Sequence, residues 1–171
     1  IYPLFGILLT GTVMFAINPA MSAINAGITS LLNSMGSASK ILLGCVAAGM
    51  MSIDMGGPFN KAAYVFGTAS LAVGTGDSDI MAAVMIGGMI PPLAIALCTT
   101  FFKKKFTPDE RKSGLVNYIM GLCFISEGAI PFAASDPLRV IPSCIVGSAV
   151  AGGLSMAFGC TLRAPHGGIF V

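Results

Sequence analysis

One acidic residue, Glu127, stands in the stretch SEGAIPF between apolar segments that look long enough to enter a lipid bilayer. A charge at the bilayer centre costs about 2.5 to 3.5 kcal/mol on insertion scales, so such residues usually line a cavity or bind a ligand. Gly128 and Pro131 follow it and interrupt the helix. A carboxylate beside opened backbone can accept hydrogen bonds from hydroxyls or act as a general base. The alternative is a structural ion pair with Lys61 or Arg139.

Further polar residues collect in DMGGPFNKAAY (54–64), SDPLR (135–139) and RAPHGG (163–168). Asn60 can donate and accept hydrogen bonds at once, which suits a hydroxylated ligand, or it can satisfy backbone freed by the helix break. His166, the only histidine, suits ligand binding or a place in an interfacial loop.

An acid, an amide, a cation, an imidazole and glycine-exposed backbone together predict a polyhydroxylated ligand. The predicted ligand-binding residues are Asn60, Glu127, His166, Gly57 and Gly128, with Glu127 also catalytic. The other charged residues of these stretches are interpreted as structural pairs, with Asp136 and Arg139 as a local pair; they are Asp54, Lys61, Asp136, Arg139 and Arg163.

Composition predicts an integral membrane protein. Of the 171 residues, 55% are hydrophobic and only 9% are charged, whereas soluble domains carry about 25% charged residues. The apolar runs are continuous rather than alternating, so the expected fold is all-α with several membrane helices. The lack of a basic patch with interleaved aromatic residues argues against nucleic-acid binding. The five cysteines are widely spaced in apolar runs, and no metal site or cofactor is predicted.

Two interrupted segments, 41–76 and 113–139, flank one long span at 80–102. Each has short apolar arms around a polar centre with glycine and proline, a pattern typical of re-entrant or discontinuous helices that form transporter sites. Two short helices joined by an external loop are the alternative for the first segment.

The first 39 residues contain no charge. An apolar helix is predicted for 2–17, an interruption at Asn18-Pro19, an amphipathic helix over 19–32 and a loop over 33–40. The cluster KKK at 103–105, with the basic residues after it, predicts a cytoplasmic loop by the positive-inside rule. A second long apolar run, 140–162, is rich in small residues that allow close helix packing.

Three of these stretches carry a family resemblance. DMGGPFNKAAYVFG, SEGAIPFAASDPLRVIPS and APHGG, in this order and spacing, resemble the fructose-specific membrane component, enzyme IIC, of the bacterial phosphoenolpyruvate-dependent phosphotransferase system. The resemblance runs over essentially the whole chain, and implies that the 171 residues are the sugar-binding part of a larger IIC membrane domain.

The resemblance implies uptake of fructose or a related sugar across the bacterial inner membrane, coupled to phosphorylation by a phosphocysteine of a IIB partner. It further implies an α-helical homodimer in the lipid bilayer, with a sugar site built by a glutamate and a histidine. Glu127 matches the acid of the broken-helix motif. The family's hairpin histidine follows a Pro-Phe pair, but here Asn60 follows Pro58-Phe59, which leaves His166 as the available imidazole.

Two other functions fit the general physics of the chain. A broken-helix secondary transporter or channel would move an unmodified solute, and a membrane scaffold would bind none. The scaffold leaves the clustered polar residues unexplained, and only the motif resemblance separates the first alternative from sugar phosphotransfer.

Overall fold

A computed structural model describes residues 2–34, 40–72 and 76–171. Three of its helices, the first, the fourth and the seventh, are long and apolar enough to cross a membrane. The described residues contain no β-strand, and the predicted all-α membrane fold is confirmed. The helices are α1 (Tyr2–Ser34), α2 (Lys40–Met50), α3 (Pro58–Leu71), α4 (Asp79–Phe101), α5 (Pro108–Leu122), α6 (Ile130–Ser135) and α7 (Pro137–Ala157), with short 3₁₀ turns at Lys103–Lys105, Ser126–Ala129 and Gly168–Phe170.

The predicted interruption at Asn18-Pro19 is wrong, because α1 runs through Pro19 without a break. A proline inside a helix removes one backbone hydrogen bond, and a long membrane helix can tolerate this loss. The amphipathic prediction for 19–32 rested on the apolar side chains of Met21, Ile24, Ile28, Leu31 and Leu32. These side chains lie outside the described part of the structure. Residues 35–39 of the predicted loop also lie outside it.

Both predicted helix interruptions are present. Residues 51–57 separate α2 from α3, and residues 123–136 contain only a 3₁₀ turn and the six-residue helix α6. The last long helix starts at Pro137, before the uncharged run at 140–162, and ends at Ala157. That either broken segment re-enters the membrane stays a prediction.

The core of the fold is formed by α2, α4 and α7, which pack against one another, while α3 and α5 pack against α4. Small residues allow this close approach. A Cβ atom added at Gly87 of α4 would lie 2.7 Å from the Cα of Ala48, and one at Gly152 of α7 would lie 2.5 Å from the carbonyl oxygen of Gly44.

One buried hydroxyl connects this core to the first helix break. Ser148 of α7 donates to the carbonyl oxygen of Gly87 at 2.7 Å, and its Oγ lies 2.6 Å from the Oγ of Ser52. Both serines are fully buried. The contact places the start of the 51–57 turn against both long helices.

The close contact between α2 and α7 predicts that an added side chain lowers the stability of the protein. Replacing Gly152 by alanine should lower the free energy of unfolding by about 1 to 3 kcal/mol, because the new methyl group overlaps α2. Thermal unfolding of the purified protein in detergent measures this. Gly11→Ala is the matched control, since no atom lies within 4 Å of a Cβ there. Equal melting temperatures for the two variants would contradict the close α2–α7 packing.

Candidate functional site

The first helix break satisfies its own backbone. Asp54 accepts hydrogen bonds from the backbone N–H groups of Phe59 and Asn60 at 2.8 and 2.9 Å, and so caps the start of α3. The buried Asn60 side chain donates through Nδ2 to the carbonyl oxygen of Met51 at 2.8 Å. A Cβ at Gly57 would lie 2.5 Å from the Asp54 carboxylate, so this capping turn needs a glycine.

The second break turns sharply after α5. Phe124 has a φ of 63°, in the left-handed region that side chains other than glycine seldom adopt. Its buried ring lies against Gly88 of α4, where an added Cβ would overlap the ring. Gly128, in the following 3₁₀ turn, lies against Asn117 of α5, and a Cβ there would come within 2.9 Å of the Met120 sulfur.

A third segment, the chain after α7, is fixed to the start of α4. Ser78 and Leu162 exchange two backbone hydrogen bonds of 3.0 Å each. Arg163 donates to both carboxylate oxygens of Asp77 at 2.6 and 3.0 Å. Hydrogen bonding by Arg163 lowers the pKa of Asp77 below its ordinary value of 3.8. These contacts fix the base of the loop that carries His166.

The three segments meet around a cleft of about 440 Å³. Its lining combines a carboxylate, an ammonium group, an amide, an imidazole and two hydroxyl groups. The lining residues are Met51 from the first break, Asn60, Lys61 and Tyr64 from α3, Phe124, Ile125, Ser126 and Glu127 from the second break, and His166 from the last segment.

The Glu127 carboxylate joins the two breaks. A Cβ at Gly56 would lie 3.2 Å from its Oε1 atom, and Gly56 has a φ of 122°. Glu127 is solvent-exposed in this cleft. Within the described ranges it takes part in none of the ion pairs, and neither does Lys61. The proposed structural pairing of Glu127 with Lys61 or Arg139 is therefore not observed, whereas the pairing of Asp136 with Arg139 is confirmed at 3.3 Å.

The structure brings together three of the five residues predicted to bind a ligand, namely Asn60, Glu127 and His166. Gly57 and Gly128 lie in the two breaks but do not line the cleft, and their ligand contacts stay predictions. Asn60 satisfies the backbone, which is one of the two roles considered for it, since its Nδ2 donates to the carbonyl oxygen of Met51. It also lines the cleft, and its contact with a ligand stays a prediction.

Sequence reasoning missed two aromatic residues of the cleft and interpreted Lys61 as a structural pair. Tyr64 lies four residues after Asn60, one helical turn along α3, and that spacing could have revealed it. The Phe124 ring lies 5.2 Å from the His166 ring and 6.2 Å from the Tyr64 ring. No sequence signal marked Phe124, because its position depends on the left-handed backbone turn.

Comparison with known proteins identifies the family. The family description "Phosphotransferase system, EIIC" matches residues 1–147. The chain belongs to this family. The matched range includes Asn60, Lys61 and Glu127 but ends before His166. No solved structure matches the chain significantly.

Relatives of this EIIC chain align along its whole length. The fructose-specific EIIABC component of Bacillus subtilis is 54% identical, and the chain covers 27% of it. The fructose permease IIC component of Bacillus amyloliquefaciens is also 54% identical, with 56% of its length covered. The fructose-specific EIIB'BC component of Escherichia coli is 50% identical, with 30% covered. The chain thus spans between about a quarter and just over half of these relatives.

The Asp77–Arg163 pair predicts how the His166 loop responds to charge and pH. Because the folded pKa of Asp77 is lowered, the pair should stabilise the loop above pH 3.8 and lose this effect as the pH falls through the lower folded value. Asp77→Asn should therefore speed amide hydrogen exchange in residues 162–168 at neutral pH.

Asp136→Asn serves as the control, since it removes an exposed carboxylate paired locally with Arg139. If amide hydrogen exchange in residues 162–168 is unchanged in Asp77→Asn, the Asp77–Arg163 pair does not hold the loop.

Proposed function

We propose that this chain forms part of a permease that takes up fructose, or a related sugar, across the bacterial inner membrane and releases it phosphorylated. The main observation in support of this proposal is the cleft at which both helix breaks and the His166 loop meet. Its polar groups suit a polyhydroxylated ligand, and its size of about 440 Å³ lies within the range of small-molecule sites. The names of the relatives, which specify fructose, favour this sugar.

Glu127 is the proposed general base. It would accept the proton of a sugar hydroxyl while that oxygen attacks the phosphorus atom of a phosphocysteine on IIB. The new oxygen–phosphorus bond forms as the sulfur–phosphorus bond breaks, and the cysteine leaves as a thiolate. Within the described residues Glu127 has no cationic partner, which leaves its carboxylate available to a ligand.

Lys61 is the proposed electrostatic partner of the phosphoryl group. It lines the same cleft as Glu127 and forms no ion pair among the described residues. An ammonium group here would stabilise the negative charge of the transferred phosphoryl oxygens. Asn60, Tyr64 and His166 would bind the remaining sugar hydroxyls, and the aromatic rings offer a flat apolar surface to the sugar.

The proposed partners are a phosphorylated IIB domain, the lipid bilayer and a second copy of the protein. The E. coli and Vibrio cholerae relatives carry EIIB in their names together with EIIC, which supports the IIB partner. Apolar side chains of α1 are largely exposed, among them Phe5 at 66% and Ile7 at 72%. Lipid or a further protein surface would cover them, and the homodimer stays a prediction.

The base assignment predicts that Glu127→Gln and Glu127→Ala in the full-length protein lose phosphorylation-coupled fructose uptake by at least about a hundredfold. Glutamine keeps the shape of the side chain but cannot accept the proton. Uptake of labelled fructose in cells that supply phosphorylated IIB measures the effect. Asp109→Asn, which changes a carboxylate at a side-chain exposure of 96%, is the matched control. Near-normal uptake in both Glu127 variants would exclude Glu127 as the base.

The Lys61 assignment predicts a loss in turnover rather than in sugar affinity. Lys61→Gln should lower the phosphorylation rate by about 100- to 1,000-fold, while fructose binding in the absence of IIB changes little. Lys61→Arg should restore part of the rate because it keeps the positive charge.

Rapid-mix phosphorylation assays and equilibrium sugar binding separate the two effects. Lys105→Gln, at a cation of the 3₁₀ turn after α4, should match the unmodified protein. A normal rate in Lys61→Gln would remove Lys61 from the phosphoryl site.

A further inference from the structure

A second cleft, of about 360 Å³, lies between the end of α4 and the start of α5. It is separate from the site described above and shares no lining residue with it. Its charged lining residues are Lys103, Arg111 and Lys112, and no carboxylate lines it. Positive side chains from two elements therefore converge on one cavity.

The acidic residues nearby leave most of this charge uncompensated. Asp109 pairs with Lys112 at 3.8 Å, but both side chains are largely exposed, and such pairs contribute little. Glu110 is occupied at the start of α5, where it accepts hydrogen bonds from the backbone N–H and the hydroxyl of Thr107 at 2.7 and 2.9 Å. Lys103 and Arg111 form no ion pair with any described residue.

Exposed apolar side chains occur at the cleft and at the end of α4. Leu115 lines it and is 60% exposed, and Phe101 and Phe102 at the end of α4 are also exposed. Because α4 is long and apolar enough to cross a membrane and ends at Phe101, the cations would lie where the hydrocarbon region gives way to the headgroup layer. Acyl chains can contact the exposed apolar residues while a phosphate lies above them, an arrangement that a free anion would not use.

We propose that this cleft binds the phosphate headgroup of an anionic phospholipid. Arg111 supplies a planar pair of donors that matches a phosphate, and Lys103 and Lys112 add charge from two sides. Basic pockets between membrane helices are suited to such headgroups. The proposal rests on the cleft and on the membrane location of α4, and it is independent of the sugar site.

Titration of the full-length protein in detergent with phosphatidylglycerol, followed by native mass spectrometry, tests the proposal. Retained lipid is counted for the unmodified protein and for a triple variant, Lys103→Gln, Arg111→Gln and Lys112→Gln. We expect at least about tenfold weaker retention in the variant, and no specific retention of phosphatidylcholine by either protein. The single variant Arg111→Gln is measured as well, in case the triple variant does not fold.

A matched triple variant, Lys40→Gln, Lys104→Gln and Lys105→Gln, removes the same charge from side chains outside the cleft. It should retain phosphatidylglycerol within about twofold of the unmodified protein, since none of the three side chains lines the cleft. An equal loss in both triple variants would show a diffuse charge effect and overturn the site.

Two further outcomes would also overturn it. Displacement of the lipid by millimolar inorganic phosphate would show that the cleft binds free anions. Normal lipid retention by the cleft variant, together with loss of IIB-dependent phosphorylation, would assign the cleft to the IIB partner instead.

Discussion

A break in a helix frees backbone groups that must find other hydrogen-bond partners, and this requirement shapes the whole site. Asp54 and Asn60 meet it at the first break, where a carboxylate caps α3 and an amide bonds to the carbonyl oxygen of Met51. Ser148 holds the same turn against α4 and α7. With its backbone satisfied in this way, the turn can place Gly56 beside the carboxylate of Glu127. The polar residues of the break thus support the residue that is proposed to face the ligand.

The sequence indicated where the helices break, because glycine, proline and charge cluster at 54–61 and at 127–136, and these signals are local. It predicted Asn60, Glu127 and His166 as ligand-binding residues. That these three residues line one cleft depends on contacts between distant parts of the chain, such as the Ser78–Leu162 bridge. Phe124 could not be predicted, since its left-handed backbone follows from packing against Gly88. Pro19 led to the wrong prediction of a helix break, because the loss of one hydrogen bond does not end a long helix.

Cations line both clefts, and they serve different proposed purposes. Lys61 lies in the cleft between the breaks, close to the start of a helix whose acidic cap, Asp54, is already engaged with backbone donors. Lys103 and Arg111 lie beyond the far end of α4, a helix that is long and apolar enough to cross a membrane. Lys61, Lys103 and Arg111 form no ion pair among the described residues, so these cations stay available to phosphate groups. The same electrostatic rule thus supports a transient phosphoryl contact and a lasting lipid contact.

The central claim is that sugar binds between the two breaks, against Glu127. The most direct test is a structure of the full-length protein with bound fructose. We predict that the sugar occupies the cleft lined by Lys61, Tyr64 and His166, with one hydroxyl within hydrogen-bond distance of the Glu127 carboxylate. Fructose bound elsewhere, or bound in the cleft with Glu127 turned away and paired to another residue, would contradict this prediction.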